Sequence, residues 1–262
     1  MSKYKLIVQT NPKSPISEAY RTLRTNIQFS SLDKSIKTIV ITSAGPGEGK
    51  TTSVTNLAIT MAHSGSKVLL IDGDLRKPEL HRIFEISKEI GLTSVLVSEL
   101  DYKERVVPTY IRGLEVLPVG VIPPNPSELL ASKKMKQLLN DVKQDYDFIL
   151  IDTPPAAVVT DASILAAAVD GVILVCASGQ IAIDEVGRAK ELLENVKANI
   201  IGVILNKISV NRKGYSQYYY YHYYGGESPA RGKAESKSRR RQTRLSAGDK
   251  SKRSKRRLEA NG

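Results

Sequence analysis

Thr38-Ile39-Val40-Ile41-Thr42-Ser43-Ala44-Gly45-Pro46-Gly47-Glu48-Gly49-Lys50-Thr51-Thr52 is the stretch whose reading decides the fold. A β-branched, apolar run predicts a strand, and the glycines that break it lead into a helical segment. Gly65 closes that segment as a C′ glycine. The nine residues from Ala44 form a P-loop, with Ala where the pattern usually opens with Gly. Small residues are needed there so that successive backbone N–H groups can turn inward on phosphate oxygens. Gly45, Gly47 and Gly49 supply that freedom, and the helix amino terminus adds a favourable dipole. Lys50 is expected to neutralise the β- and γ-phosphates, and the Thr51 hydroxyl to ligate Mg²⁺. The expected ligand is therefore ATP with Mg²⁺. Gly45, Gly47, Glu48, Gly49, Lys50, Thr51 and Thr52 are the candidate nucleotide-binding residues.

Outward from this loop, short β-branched runs recur at 38–42, 67–72, 114–118, 148–152, 171–177 and 200–206. Several are apolar on both faces, as parallel strands covered by helices must be. Helical stretches separate them. Asn125, Pro126 and Glu128 form a capping-box arrangement that opens one long helix. Another is expected over 16–27, where Ile16, Ala19, Tyr20, Leu23 and Ile27 share one stripe and Glu18, Arg21 and Arg24 lie on the other side. The alternation predicts an α/β fold, a doubly wound and mostly parallel sheet, whose ligand sits at the carboxyl ends of the strands.

Two further motifs fall at such ends. Val68-Leu69-Leu70-Ile71-Asp72-Gly73-Asp74-Leu75-Arg76 delivers two carboxylates beside the P-loop, a pair suited to magnesium and a general base. The plainer reading is two loop aspartates capping the next helix. Phe148-Ile149-Leu150-Ile151-Asp152 is a Walker B arrangement that holds Mg²⁺ directly or through water. Thr51, Asp74 and Asp152 are the candidate metal ligands, and Lys50, Asp72, Asp74, Asp152 and Arg76 the candidate catalytic set. Asn206 closes the last run, and Asn206-Lys207 is either a reader of the adenine edge or an ordinary loop pair.

Charge is unevenly placed. Of a formal net charge of +12 over 262 residues, +9 belongs to residues 225–262. From residue 211 to 244 there is no Leu, Ile, Val, Met or Phe, so a boundary is expected near residue 210, with a disordered tail after it. The tail carries seven tyrosines within ten residues: Tyr215, Tyr218, Tyr219, Tyr220, Tyr221, Tyr223 and Tyr224. The basic extension beyond them is a solvated arm or a tether to an anionic membrane surface; nucleic acid is not the favoured partner. The single cysteine excludes an intramolecular disulfide, and the three histidines fit no zinc spacing. With no apolar run of membrane-spanning length and no secretory signal, a cytoplasmic protein is expected.

Asp72-x-Asp74-x-Arg76 after an apolar strand, Pro46-Gly47-Glu48-Gly49-Lys50-Thr51 and Asp152-Thr153-Pro154-Pro155 together resemble the bacterial tyrosine kinases (BY-kinases) of capsule and exopolysaccharide synthesis. The resemblance extends over about residues 14–224, through Pro123-Pro124-Asn125-Pro126-Ser127-Glu128-Leu129 and the terminal tyrosines. It implies autophosphorylation of the tyrosine cluster in trans, with Asp72 accepting the phenol proton. It also implies that Glu18, Arg21 and Arg24 make a subunit contact in a ring-like homo-oligomer of the unphosphorylated protein, although by themselves they read as a solvated charged face. A cognate phosphotyrosine phosphatase and a separate transmembrane adaptor, which recruits the kinase to the inner face of the membrane, are implied in the same way. The main rival is a partition- or division-type P-loop ATPase. Such proteins place a signature Lys five residues before the P-loop Lys, where this chain has Gly45. A nucleotide-dependent scaffold without catalysis is the third reading.

Overall fold

The apolar runs become strands in a computed structural model that describes residues 6–30, 35–89, 91–98 and 100–208. The boundary expected near residue 210, the tyrosine cluster and the basic extension lie outside the described residues. In chain order the elements are α1 (Ile7–Thr10), α2 (Pro15–Ser30), β1 (Thr38–Ser43), α3 (Lys50–His63), β2 (Val68–Asp72), α4 (Leu80–Ile83), α5 (Leu92–Val97), β3 (Val107–Pro108), β4 (Leu114–Leu117), α6 (Pro126–Ala131), α7 (Lys133–Asp145), β5 (Phe148–Asp152), α8 (Asp161–Ala166), β6 (Gly171–Ala177), α9 (Ile183–Asn195) and β7 (Ile200–Asn206). The sheet runs β3-β4-β2-β5-β1-β6-β7, and every pairing is parallel except β3 with β4. From β1 the chain crosses to β2 on one side, and from β5 it crosses to β6 on the other. The strand ends therefore open a crevice at β1, where the P-loop begins.

Period-two alternation feeds two cores. Val40, Leu69, Ile71, Ile149, Ile151, Val172 and Leu174 face one side, against Leu138 and Val142 of α7, Leu165 of α8 and Leu193 of α9. Ile39, Ile41, Val68, Leu70, Leu150, Ile173 and Val175 face the other, against Val54, Leu57 and Met61 of α3. Among the described residues no helix is long and apolar enough to cross a membrane.

Local readings need three corrections. α2 is longer than the expected 16–27, and only part of its apolar stripe is used: Ile27 is buried, whereas Ile16 is 54% exposed. Glu18 pairs with Arg21 within the helix, and the Arg24 Nε is buried without a hydrogen-bond partner in the structure. The long helix expected after Asn125 is two helices, because Ser132 takes an extended conformation and caps α7 by accepting from the Met135 N–H at 3.1 Å. Asn125 does not cap with its side chain; its Nδ2 donates to Glu128 Oε2 at 2.6 Å. β3 is only two residues long, too short to leave a period in the sequence.

At the amino-terminal end of β1, away from the P-loop, one carboxylate ties three segments. Asp170 Oδ2 accepts from the Lys37 and Thr38 N–H groups and the Thr38 hydroxyl, at 3.0, 2.9 and 2.8 Å, and Oδ1 pairs with Lys143 Nζ at 2.7 Å.

Gly73 sets the spacing of the strand ends that carry the carboxylates. Its N–H donates to the Asp152 carbonyl at 2.8 Å, and a Cβ there would stand 2.7 Å from that oxygen. Gly73→Ala is expected to lower stability by about 1–3 kcal/mol, measured by urea unfolding, because the clash is with backbone and cannot rotate away. A loss below about 0.5 kcal/mol would mean that the two strand ends spread freely.

Candidate active site

The P-loop is braced from within. Gly49 caps α3 at φ +91°, and a Cβ there would lie 2.2 Å from Asn206 Nδ2, so the position requires glycine. Glu48 is buried, and its carboxylate accepts from the Gly45 N–H at 2.6 Å and the Ala177 N–H at 2.9 Å. The side chain thus joins the loop to β6, and what Glu48 offers a phosphate is its backbone. Asn206 is similarly engaged. Its Nδ2 donates to the Glu48 carbonyl at 2.8 Å and its Oδ1 accepts from the Lys207 N–H at 2.8 Å, so the amide buttresses the loop with one N–H and one lone pair and keeps the other of each for a ligand.

Parallel pairing of β2 with β5 puts Asp72 and Asp152 directly opposite each other. Both are buried, and each has an Oδ1 with no hydrogen-bond partner in the structure. Asp72 Oδ2 accepts from the Glu79 and Leu80 N–H groups at 3.2 and 3.1 Å. Burial, reinforced by the Asp152 charge, pushes the Asp72 carboxyl well above the carboxylate range. Burial likewise pushes Asp152 up to about 7, against the opposing pull of the Thr51 hydroxyl and the Lys50 ammonium. Lys50 is 8% exposed, and burial lowers its own pKa. The loop lysine, Thr51 and both strand-end aspartates therefore converge.

Asp74 lies at the rim, where its Oδ1 accepts from the Arg76 and Lys77 N–H groups at 3.2 and 2.9 Å. Arg76 departs from its expected catalytic setting. Its Nε and Nη2 take Asp161 as a bidentate partner at 2.8 and 3.0 Å, and Nη2 also donates to Ser127 Oγ at 3.0 Å. Asp161 carries no motif of its own and Ser127 stands in the Pro123–Leu129 segment, and only the fold brings them to Arg76. Lys207, read from the sequence together with Asn206, is turned onto the loop. It holds φ +55° and places Nζ 2.7 Å from the Gly47 carbonyl and 2.9 Å from Gln180 Oε1. Its only sequence signal is adjacency to Asn206.

A cavity of about 480 Å³ flanks the loop, lined among others by Gly45, Pro46, Gly47, Val158, Arg188 and Lys207. A larger one of about 670 Å³, near Tyr102 and Asp145, contains none of the motif residues. Among the described residues no three His, Cys, Asp or Glu side chains are grouped to cage a metal. The donor set nevertheless fits Mg²⁺, which keeps several waters and takes one or two carboxylates plus substrate phosphates. Two buried carboxylate oxygens without partners, beside a hydroxyl and a P-loop, are such a set.

Residues 34–236 match the ParA family, described as NUBPL iron-transfer P-loop NTPase. The chain lacks the thiolates of an iron carrier, since its single cysteine, Cys176, is buried in β6. Tyrosine-protein kinase YwqD of Bacillus subtilis is 46% identical over 214 residues, covering 82% of this chain and 90% of the relative. Among solved structures, the chimerical protein CapA2B2 is similar at a TM-score of 0.75 and 43% identity, covering 78% of this chain and 90% of that one. The kinase domain of Escherichia coli tyrosine kinase ETK is similar at 0.74 and 33%, covering 80% and 84%.

The raised Asp152 carboxyl has a signed consequence for stability. A carboxyl whose pKa is higher folded than unfolded favours the folded state at low pH, and that advantage fades as pH rises from about 4 through about 7. Without nucleotide, Asp152→Asn is expected to raise the melting temperature at pH 8 and flatten its fall between pH 4 and 8. The gain is on the order of a few kcal/mol. An unchanged melting profile would show that Asp152 is ionised at no cost.

Proposed function

The chain belongs to the bacterial tyrosine-protein kinases built on the ParA-type P-loop fold, and we propose from that premise that it phosphorylates the tyrosines at 215–224 of another copy of itself. The observation that carries this reading is the convergence of Lys50, Thr51, Asp72 and Asp152 at one crevice, in a chain that supplies seven tyrosyl acceptors. Gly45 speaks against the partition-type alternative because it stands where the rival carries its lysine; a Cβ there would meet only the end of the Ile181 side chain, at 3.1 Å, so it is the residue type and not the space that decides.

In the proposed reaction the phosphoryl group passes from ATP to a phenol oxygen. The P-loop amides and Lys50 hold the phosphates and offset their charge. Thr51, Asp152 and Asp74 would hold Mg²⁺, directly or through water, and the ion when bound supplies charge neutralisation at the transferring phosphate. Asp72 takes the phenol proton. Burial favours the protonated form of that carboxyl, and positive charge beside it is what would favour the basic form. A phenol with an ordinary pKa of about 10 gains from such a base, but positioning supplies most of the rate.

The wider reading follows the family. The kinase acts in capsule or exopolysaccharide synthesis, is cytoplasmic, and is recruited to the inner membrane face by a transmembrane adaptor. Unphosphorylated copies assemble in a ring through Glu18, Arg21 and Arg24, and a cognate phosphatase resets them. Each phosphate adds about −1.5 to −2 at neutral pH, so a fully modified cluster carries roughly −10 to −14 and outweighs the +9 of the extension. A strip of that charge is repelled from a site lined with carboxylates, and the assembly comes apart.

The direct test is incubation with ATP and Mg²⁺, followed by mass-spectrometric mapping. Phosphate is expected within 215–224, and Lys50→Met should reduce it about a hundred-fold or more while the protein stays folded. Near-normal labelling of that variant would overturn the assignment. Light scattering after size exclusion checks the assembly: exhaustive ATP treatment should shrink the wild type and leave a variant with all seven tyrosines changed to Phe unaltered.

A further inference from the structure

We propose that Arg76 is a positioning residue: Asp161 and Ser127 pin its guanidinium so that Asp74 presents a single, fixed oxygen to the metal. The inference rests on the reading above that Asp74 serves Mg²⁺.

The geometry begins with Asp161, the first residue of α8, which is 0% exposed. A carboxylate in that position is tolerable only when paired. Arg76 supplies a fork, and the Ser127 hydroxyl donates to Asp161 Oδ1 at 2.8 Å, so both carboxylate oxygens are satisfied. For Arg76 to swing onto a phosphate, it would have to abandon a buried charge. The guanidinium is therefore an anchor for its own loop. Its backbone N–H and that of Lys77 both grip Asp74 Oδ1, and no hydrogen bond to Asp74 Oδ2 exists among the described residues. One oxygen is spent on the turn and the other is left for a ligand. This also gives the segment Pro123–Leu129 a purpose: Pro126 opens α6, and Ser127 in its first turn completes the anchor.

The test uses the full-length protein and compares Arg76→Ala, Arg76→Lys, Asp161→Asn, Ser127→Ala and the double variant Arg76→Ala/Asp161→Asn. Mn²⁺ binding to the ADP-loaded protein, followed by electron paramagnetic resonance, gives a readout separate from activity. Arg76→Ala and Asp161→Asn are each expected to weaken Mn²⁺ binding about 10-fold or more, as loss of a ligand's supporting partner does. The double variant should be no worse than either single one, because the two residues act as a unit. Ser127→Ala should show a smaller loss, and Arg76→Lys should not rescue, since an ammonium cannot reproduce the fork. In Asp161→Asn and Ser127→Ala the phosphorylation rate at saturating Mg²⁺ should stay within about three-fold of wild type.

The proposal is overturned if Arg76→Ala cuts that saturated rate by about a hundred-fold while Asp161→Asn leaves both rate and Mn²⁺ affinity intact, because Arg76 would then touch the reacting phosphates. Should Asp161→Asn fail to melt cooperatively, Ser127→Ala and Arg76→Ala decide between the same outcomes. Asp74→Asn tells the two levels apart: unchanged Mn²⁺ affinity in that variant removes the underlying reading of Asp74 itself.

Discussion

Two carboxylates buried side by side are the condition around which the rest of this site is arranged. Asp72 and Asp152 are opposed by the register of β2 and β5, and neither can move away without breaking the parallel ladder between those strands. Like charges at that spacing cannot both persist in a protein interior unless something positive joins them. The surroundings meet this in part, through the Glu79 and Leu80 amides on Asp72 and through Lys50 and Thr51 beside Asp152. What they leave unmet is one bare oxygen on each aspartate. On the proposed reading this is a site that a dication would relieve, so part of the binding energy for the metal would already be built into the fold.

Rigidity of the phosphate loop serves the same end. A loop of glycines is cheap to bend but costly to order. Here Glu48 fastens it to β6, while Asn206 and Lys207 fasten it to the end of β7. Three residues that sequence patterns place near the nucleotide, or beside it, spend their polar atoms on the protein. The loop is ordered during folding, so that cost does not fall on the binding step.

That contrast also marks how far the sequence could be read. Strands apolar on both faces leave an unbroken signal, and β5, β6 and β7 coincide with their apolar runs. The P-loop and strand-end aspartates were equally legible, because phosphate and metal chemistry dictate residue type at fixed spacing. Direction of a side chain was not. Glu48 and Arg76 stand inside motifs but turn to Ala177 and Asp161, partners about 129 and 85 residues further along the chain, which no local spacing encodes. The break at Ser132 was hidden for another reason: both helices share good helix formers, and only a tertiary preference for an extended Ser132 divides them.

Asp170 gives the sheet a second electrostatic pole. Burial pushes its carboxyl upward, but hydrogen bonds from Lys143, Thr38 and Lys37 outweigh that and hold it below the usual carboxylate range. A depressed carboxyl lends stability that is fully present above its unfolded value and is lost as pH falls through the folded one. β1 therefore runs between opposite acid–base demands, with an end that needs its charge at Asp170 and an end that resists charge at Asp152. Strong acid unfastens the foot of the strand while quieting its head, and a rise past neutral pH does the reverse. The strand is thus loosened at its foot by strong acid and at its head once pH passes about 7, so its two ends are not held equally well at any one pH.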